Sequence, residues 1–309
     1  MYLVDFFKRM VRKANIPVLI YLVLNIFVIS FLTYLTLSEY MPVWAAPLVG
    51  IALYVVSLAI ALSPLGEWIL RMQTGCREMY EQEYIDYITP LFREVYEKAR
   101  ALDPTIPADV KLFINDDPEP NAFATGRKTI CVTEGLMRMP AEQIKATLAH
   151  EFGHLAHKDT DLILVVSIGN FIVTAFITII RVFIEIARLI MSIVALFFGG
   201  SEGALGAIIA SLYSFMITLA INGLMWLWTK IGTLLVMKSS RSNEFEADEF
   251  SFRCGYGEDL CRLLNAIGGS GGKGLFATLA SSHPDKHQRI SRLQKLAAEQ
   301  YANISASEQ

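Results

Sequence analysis

Apolar and polar positions divide the chain into blocks. Two long apolar runs open it, at about Ile16–Leu37 and Val43–Leu65, with a short turn holding Glu39 and Pro42 between them. Each exceeds the roughly 18 residues at which an apolar stretch reads as a transmembrane helix. From residue 67 to about 160 the pattern turns polar. Charged and aromatic residues alternate through Arg77–Arg100, which predicts a helix interrupted at Pro90. Val110–Ile114 and Thr129–Thr133 predict short strands, and the stretch Asn115–Gly126 between them is rich in Asp, Pro and Asn. After Pro140 a helix is expected, because Ile144, Leu148, Phe152 and Leu155 recur at helical spacing.

A second apolar block covers 162–237, with Arg181, Glu185, Arg188, Glu202 and Lys230 as its only charges. At about 1.5 Å per residue, a helix over 162–198 far exceeds roughly 30 Å of hydrocarbon. Two long helices reaching beyond the bilayer are expected, turning at Gly199–Gly206. Arg181 and Glu185 stand at i and i+4 and read as a salt-bridged helix extension rather than a transport path. From Lys238 the chain is polar and helical again, with a glycine-rich loop at Gly268–Gly274. In that loop Gly274 follows Lys273 where a phosphate-binding loop needs Ser or Thr, so it reads as a plain loop. Four segments are expected: 1–66, 67–161, 162–237 and 238–309.

Composition sharpens the membrane reading. Of 309 residues 53% are hydrophobic and 18% charged, against roughly 25% charged in a soluble domain. The mean hydropathy is +0.42. The net charge of -3, with no long basic run, gives no reason to expect nucleic acid as a partner. The four cysteines form no C-x-x-C and read as reduced thiols. Lys8, Arg9, Arg12 and Lys13 precede the first apolar run, which is too long for the core of a signal peptide and reads as an uncleaved anchor. The positive-inside rule then puts the N-terminus in the cytoplasm and the 38–42 turn outside. The expected fold is a mainly α integral membrane protein of about four transmembrane helices, with a cytosolic α+β domain holding a small sheet.

The chemistry lies in the histidines. There are only five, and His150, His154 and His157 fall within eight residues. His150-Glu151-Phe152-Gly153-His154 fits H-E-x-x-H. On a helix its two histidines share a face and can bind one zinc ion at about 2.0–2.1 Å. Glu151 stands beside the metal rather than on it, placed to take a proton from the attacking water and pass it to the leaving amine. A third ligand is needed, and position 160 is Thr, where a metzincin would have His. The acidic run Glu244–Asp248 supplies a carboxylate. Glu244 and Asp248 share a helix face and Glu246 points about 200° away. Glu244 is thus the expected ligand, with Asp248 holding the outer nitrogen of a ligand histidine. His150 and Glu244 must meet at one metal, so an even number of membrane crossings separates them.

These residues resemble the membrane-embedded zinc peptidases of the HtpX and type I CAAX prenyl-protease kind. The likeness covers nearly the whole chain. Two spans precede the H-E-x-x-H helix, an apolar block follows it, and Ser240-Arg241 and the E-x-x-A-D pattern at Glu244–Asp248 come next. Asn121-Ala122-Phe123-Ala124-Thr125-Gly126 is similar to the family's N-A-F-A-x-G stretch. The resemblance implies that Asn121, Ala122, Phe123 and Ala124 lead into or form the edge that holds the substrate backbone. His283, Pro284 and Arg289 are similar to the family's H-P-x-x-x-x-R element. This implies that His283 donates to the developing oxyanion and that Arg289 holds the site through a carboxylate such as Asp248. His157 and His287 read as surface or supporting residues, and Asp159 as a cap or support.

The expected protein is therefore a zincin-like endopeptidase with one zinc ion per chain, multi-pass in the inner (cytoplasmic) membrane, its active site facing the cytoplasm. Polypeptides, in particular damaged or misassembled membrane proteins, are the expected substrates, and the lipid bilayer is the other partner. The alternatives are a processing peptidase like the CAAX prenyl proteases, with a defined substrate, and a zinc-binding membrane protein without hydrolysis.

Overall fold

Twenty-two residues without a charge or a proline interior form helix α1 (Ile16–Leu37) in the computed structural model, which describes residues 15–158, 160–198, 200–266 and 286–307. The second apolar run does not form one rod over Val43–Leu65. It forms α2 (Ala45–Ala61), breaks at Leu62–Ser63, and continues as α3 (Pro64–Thr74) after a bend of 76°. Pro64 has no N–H to donate and disfavours helical geometry in the residue before it, so a new helix starts on it.

The predicted helix Arg77–Arg100 is α4 (Gln82–Leu102), and it is not interrupted: Pro90 lies inside it. Pro90 is solvent-exposed, so water can serve the carbonyl its ring deprives of a partner. Residues before Gln82 are extended, and Arg77 bridges Ile114 in antiparallel fashion. Three strands follow, β1 (Lys111–Asn115), β2 (Ala122–Thr125) and β3 (Thr129–Thr133), in the order β1-β3-β2. β1 is parallel and β2 antiparallel to β3, so β2 is an edge. Helix α5 (Ala141–His157) begins after Pro140 and stops at Lys158, which takes a left-handed φ of 55°.

A short helix, α6 (Thr160–Ile163), and a π turn at Leu164–Ile168 lead into α7 (Gly169–Phe198). Then comes α8 (Gly200–Ser251), 52 residues without interruption. Of the expected turn at Gly199–Gly206, the residues from Gly200 to Gly206 lie inside α8, and Gly199 lies outside the described residues. Helices α9 (Gly257–Ala266) and α10 (Lys286–Ser307) complete the described chain.

By contacts the chain divides into two units. The membrane unit takes in Val18–Ser63 and Val165–Leu234, and the catalytic unit Pro64–Leu164 and the chain from Leu235. Among the described residues three helical stretches are long and apolar enough to cross a membrane: Ile16–Leu37, Thr160–Val194 and Ile208–Val236. The bent pair α2–α3 makes a fourth if counted as one span. Two of these stretches lie between His154 and Glu244, an even number.

Within the membrane unit Ile29, Tyr54, Val173, Ile177, Ile221 and Met225 form an apolar cluster. A neutral ring of hydrogen bonds runs beside it. Asn25 Nδ2 donates to Asn170 Oδ1 at 2.7 Å and Asn170 Nδ2 to the Tyr21 hydroxyl at 2.7 Å. The Tyr21 hydroxyl donates to the Trp228 carbonyl at 3.1 Å, and Trp228 Nε1 to Asn25 Oδ1 at 2.7 Å. Arg181 does not form the expected pair with Glu185. It donates to Thr218 Oγ1 at 2.7 Å and to the Ser214 carbonyl at 3.1 Å, while Glu185 meets Arg188 at 3.3 Å. The catalytic unit holds an apolar core, in which Ile88, Val95 and Ala99 of α4 pack with Ile144, Leu148 and Phe152 of α5 and with Ile130 and Val132 of β3.

Candidate metal centre

The site starts from α5. Its Phe152 packs against Phe92 and Tyr96 of α4, with centroids at 5.5 and 5.7 Å. That fixes the helix's rotation. His150 and His154, one turn apart, are then buried at 5% and 9% exposure.

Helix α8 crosses α5 at very close range. A Cβ on Gly153 would stand 2.9 Å from Ala247 Cα, so only hydrogen fits there. The Ser251 hydroxyl donates to the Ala146 carbonyl at 3.1 Å and fixes the same crossing. The contact between two small residues brings the preceding turn of α8, with Glu244, level with the histidines. Sequence reasoning missed this pair of positions. The signal was present, because each motif carries a small residue where the other helix passes: Gly153 in H-E-x-x-H and Ala247 in E-x-x-A-D.

His150, His154 and Glu244 each offer one donor atom within 4.8 Å of the others. The two Nε2 atoms are 3.2 Å apart. His150 Nε2 lies 3.5 Å from Glu244 Oε2, and His154 Nε2 lies 3.4 Å from Glu244 Oε1. A tetrahedral zinc ion with bonds of about 2.0–2.1 Å separates its ligand atoms by roughly 3.3 Å. The donor triangle, two imidazoles and a carboxylate, therefore fits such an ion.

His150 Nδ1 faces Asp248 Oδ1 at 2.9 Å. A proton on Nδ1 turns the Nε2 lone pair toward the other donors. Arg289 of α10 grips Asp248 in two-pronged fashion, Nε to Oδ2 at 2.7 Å and Nη2 to Oδ1 at 2.5 Å. Its Nη1 lies 3.3 Å from Glu244 Oε2. Burial pushes Asp248 up, but the bonds from His150 and Arg289 outweigh it and hold its carboxyl below the usual aspartate range. Burial by itself would lower His150, yet Asp248 and then Glu244 raise it above the usual histidine value. Arg289 is raised too, since the two carboxylates outweigh its burial.

Glu151 is buried beside this triangle. Its Oε2 accepts the Ala124 N–H at 2.7 Å, which ties it to β2. The Thr133 N–H donates to the Asn121 carbonyl at 2.9 Å. By the alternation of an antiparallel ladder, Asn121, Phe123 and Thr125 then face β3 while Ala122 and Ala124 present their main-chain groups outward. The residue pattern alone did not predict this strand, because Ala-Phe-Ala-Thr is short and sits in a stretch rich in Asp, Pro and Asn, whereas the N-A-F-A-x-G resemblance implied an edge here.

Of the remaining histidines, His157 Nε2 lies 3.7 Å from Glu246 Oε2, on the side of α8 that turns from Glu244. His287 is exposed on α10. His283 and Pro284, Asp159 and the Gly268–Gly274 loop lie outside the described residues.

Apolar helices long enough to cross a bilayer, joined to an H-E-x-x-H helix and a glutamate from a second helix, define a membrane-embedded metallopeptidase. Residues 91–297 match the family description Peptidase family M48. The match covers well over half of the 309 residues, and the chain belongs to peptidase family M48. It is similar to "Protease HtpX" of Idiomarina loihiensis, 28% identical over 252 residues that cover 75% of this chain and 80% of that one. It is 29% identical over 263 residues to "Protease HtpX" of Ectopseudomonas mendocina, covering 75% and 81%. To "Protease HtpX homolog" of Bifidobacterium longum it is 29% identical over 261 residues, covering 73% and 74%. The chain is thus an HtpX-like integral membrane metalloprotease, acting on polypeptides.

Proposed function

We propose that this protease is a zinc-dependent endopeptidase that cuts unfolded or misassembled membrane proteins at the cytosolic face of the inner membrane, as protein quality control. One observation carries the reading: a tetrahedrally sized donor triangle of His150, His154 and Glu244 with Glu151 held beside it by the edge strand. In this reading residues 67–161 and 238–309 form the catalytic domain, and 1–66 and 162–237 anchor it. The four basic residues ahead of α1 support a cytoplasmic N-terminus.

His150, His154 and Glu244 would hold one zinc ion. When bound, zinc supplies Lewis-acid activation of water and of the scissile carbonyl. Asp248 keeps the proton on His150 Nδ1, and Arg289 keeps Asp248 ionised and in place. Glu151, its Oε2 fixed by the Ala124 amide, takes a proton from the attacking water at Oε1 and returns it to the leaving amine. The outward main-chain groups of Ala122 and the Ala124 carbonyl pair with an extended substrate backbone, the Ala124 N–H being taken by Glu151. Such pairing reads no side chain, which supports a preference for exposed, unfolded chain. His283 is assigned the oxyanion donor from its H-P-x-x-x-x-R context.

Glu151→Gln tests the reading. The variant should keep stoichiometric zinc and lose cleavage of an unfolded membrane substrate by at least about a hundredfold. Cleavage at the wild-type rate would overturn the assignment. A narrow product set from many unfolded substrates would replace quality control with a defined processing role.

A further inference from the structure

The turn joining β2 to β3 is held from two sides. Gly126 adopts φ 65°, open to glycine at little cost, and a Cβ there would stand 2.6 Å from Glu67 Cγ on α3. Glu67 Oε1 accepts the Arg127 N–H at 2.9 Å. Arg71, one turn on, donates to Thr129 Oγ1 at 3.1 Å. From the other side the Thr160 hydroxyl donates to the Gly126 carbonyl, and Arg127 Nε lies 3.5 Å from Asp161 Oδ1. Asp161 is fully buried.

These contacts sit two residues from Ala124, whose amide binds Glu151. The hydrogen bonds of β2 to β3 fix its pairing, and the contacts at the tip add a hold at the turn itself. The tip contacts come from α3, which follows α2 across the bend, and from α6, which opens the apolar stretch Thr160–Val194.

We propose that Glu67 and Thr160 are positioning residues of this protease: by gripping the Gly126–Arg127 turn they align the outward edge of β2 with Glu151. The proposal rests on the reading of β2 as the substrate edge and Glu151 as the base. Glu67 acts by accepting one main-chain N–H, a task a neutral amide oxygen also performs. Thr160 acts by donating to one carbonyl.

The experiment compares full-length protease in detergent, loaded with zinc, as wild type, Glu67→Ala, Glu67→Gln and Thr160→Val, on an unfolded polypeptide. Losing one such bond should raise KM about tenfold in Glu67→Ala with kcat within about twofold, and less in Thr160→Val. Glu67→Gln should restore a KM near the wild-type value, which a role through the carboxylate charge would not allow. Wild-type KM in both Glu67→Ala and Thr160→Val would overturn the proposal, as would a Gln variant as impaired as Ala. If Glu67→Ala does not accumulate folded, the Gln and Val variants decide by the same measure. Glu151→Gln in the same series separates the two ideas. If it stays active, the underlying reading fails. If it is inactive while Glu67→Ala and Thr160→Val behave as wild type, only the positioning role fails.

Discussion

The membrane unit closes Asn25, Asn170, Tyr21 and Trp228 into a ring of neutral groups, whereas the catalytic unit gathers His150, Glu244, Asp248 and Arg289 around one point. The second set is buried throughout and the first is buried apart from the half-buried Trp228, and each is held by contacts among its own members. They differ in what a lost partner leaves behind. In the ring, removing one amide strands a dipole. At the metal centre, removing one carboxylate strands a guanidinium or an imidazolium. A neutral ring suits helices held among lipids, where charge is costly and a small bonus per contact is enough to set register. A charged cluster suits a site that must receive a dication, because its carboxylates outnumber what Arg289 can neutralise.

Cutting the charged cluster should therefore do the most harm. Asp248→Ala leaves Arg289 without its two-pronged partner and His150 Nδ1 without its acceptor. We expect a loss of about 3–5 kcal/mol in stability and a 10- to 100-fold drop in zinc affinity, read by thermal unfolding and by competition with a chelator. Gly153→Ala comes next. It adds one methyl against Ala247 Cα, with an expected cost of about 1–3 kcal/mol and weaker zinc binding, since Glu244 is pushed away with α8.

The pH dependence follows at smaller scale. His150 has a raised pKa, so its proton competes with metal from a higher pH downward than an ordinary histidine's would. Zinc affinity should fall by about tenfold per unit once the pH drops below that value. Asp248→Asn removes the largest raising influence and should shift the onset to lower pH, measured by zinc titration across pH. The membrane ring should give the smallest effect. Asn170→Ala is expected to cost on the order of 1 kcal/mol and to leave zinc affinity unchanged. A loss of zinc from Asn170→Ala would erase the contrast between the two units.

What could be read in advance follows from spacing. His150 and His154, and Glu244 and Asp248, are each one helical turn apart, so sequence distance is also geometry. Helix α1 was legible to the residue because no charge breaks Ile16–Leu37. Pro64 and Pro90 show the limit. Both are prolines in helix-like surroundings, yet one starts a new helix after a 76° bend and the other sits inside an unbroken one. Burial and neighbours decide between these outcomes. The grip of Glu67 on Arg127 was invisible for another reason: it joins positions 60 residues apart, and no local pattern encodes such a pairing. The Arg181–Glu185 spacing allowed an ion pair, but Thr218 and Ser214 of the neighbouring helix competed for the guanidinium.

The contact between Gly153 and Ala247 links two motifs that look independent on paper. Neither position carries chemistry, yet the second limits the size of the first. The atom nearest to a Cβ on Gly153 would be a main-chain carbon, so shrinking Ala247 does not make room for one: a larger residue at 153 is admitted only if the two helices part, and the donor triangle parts with them.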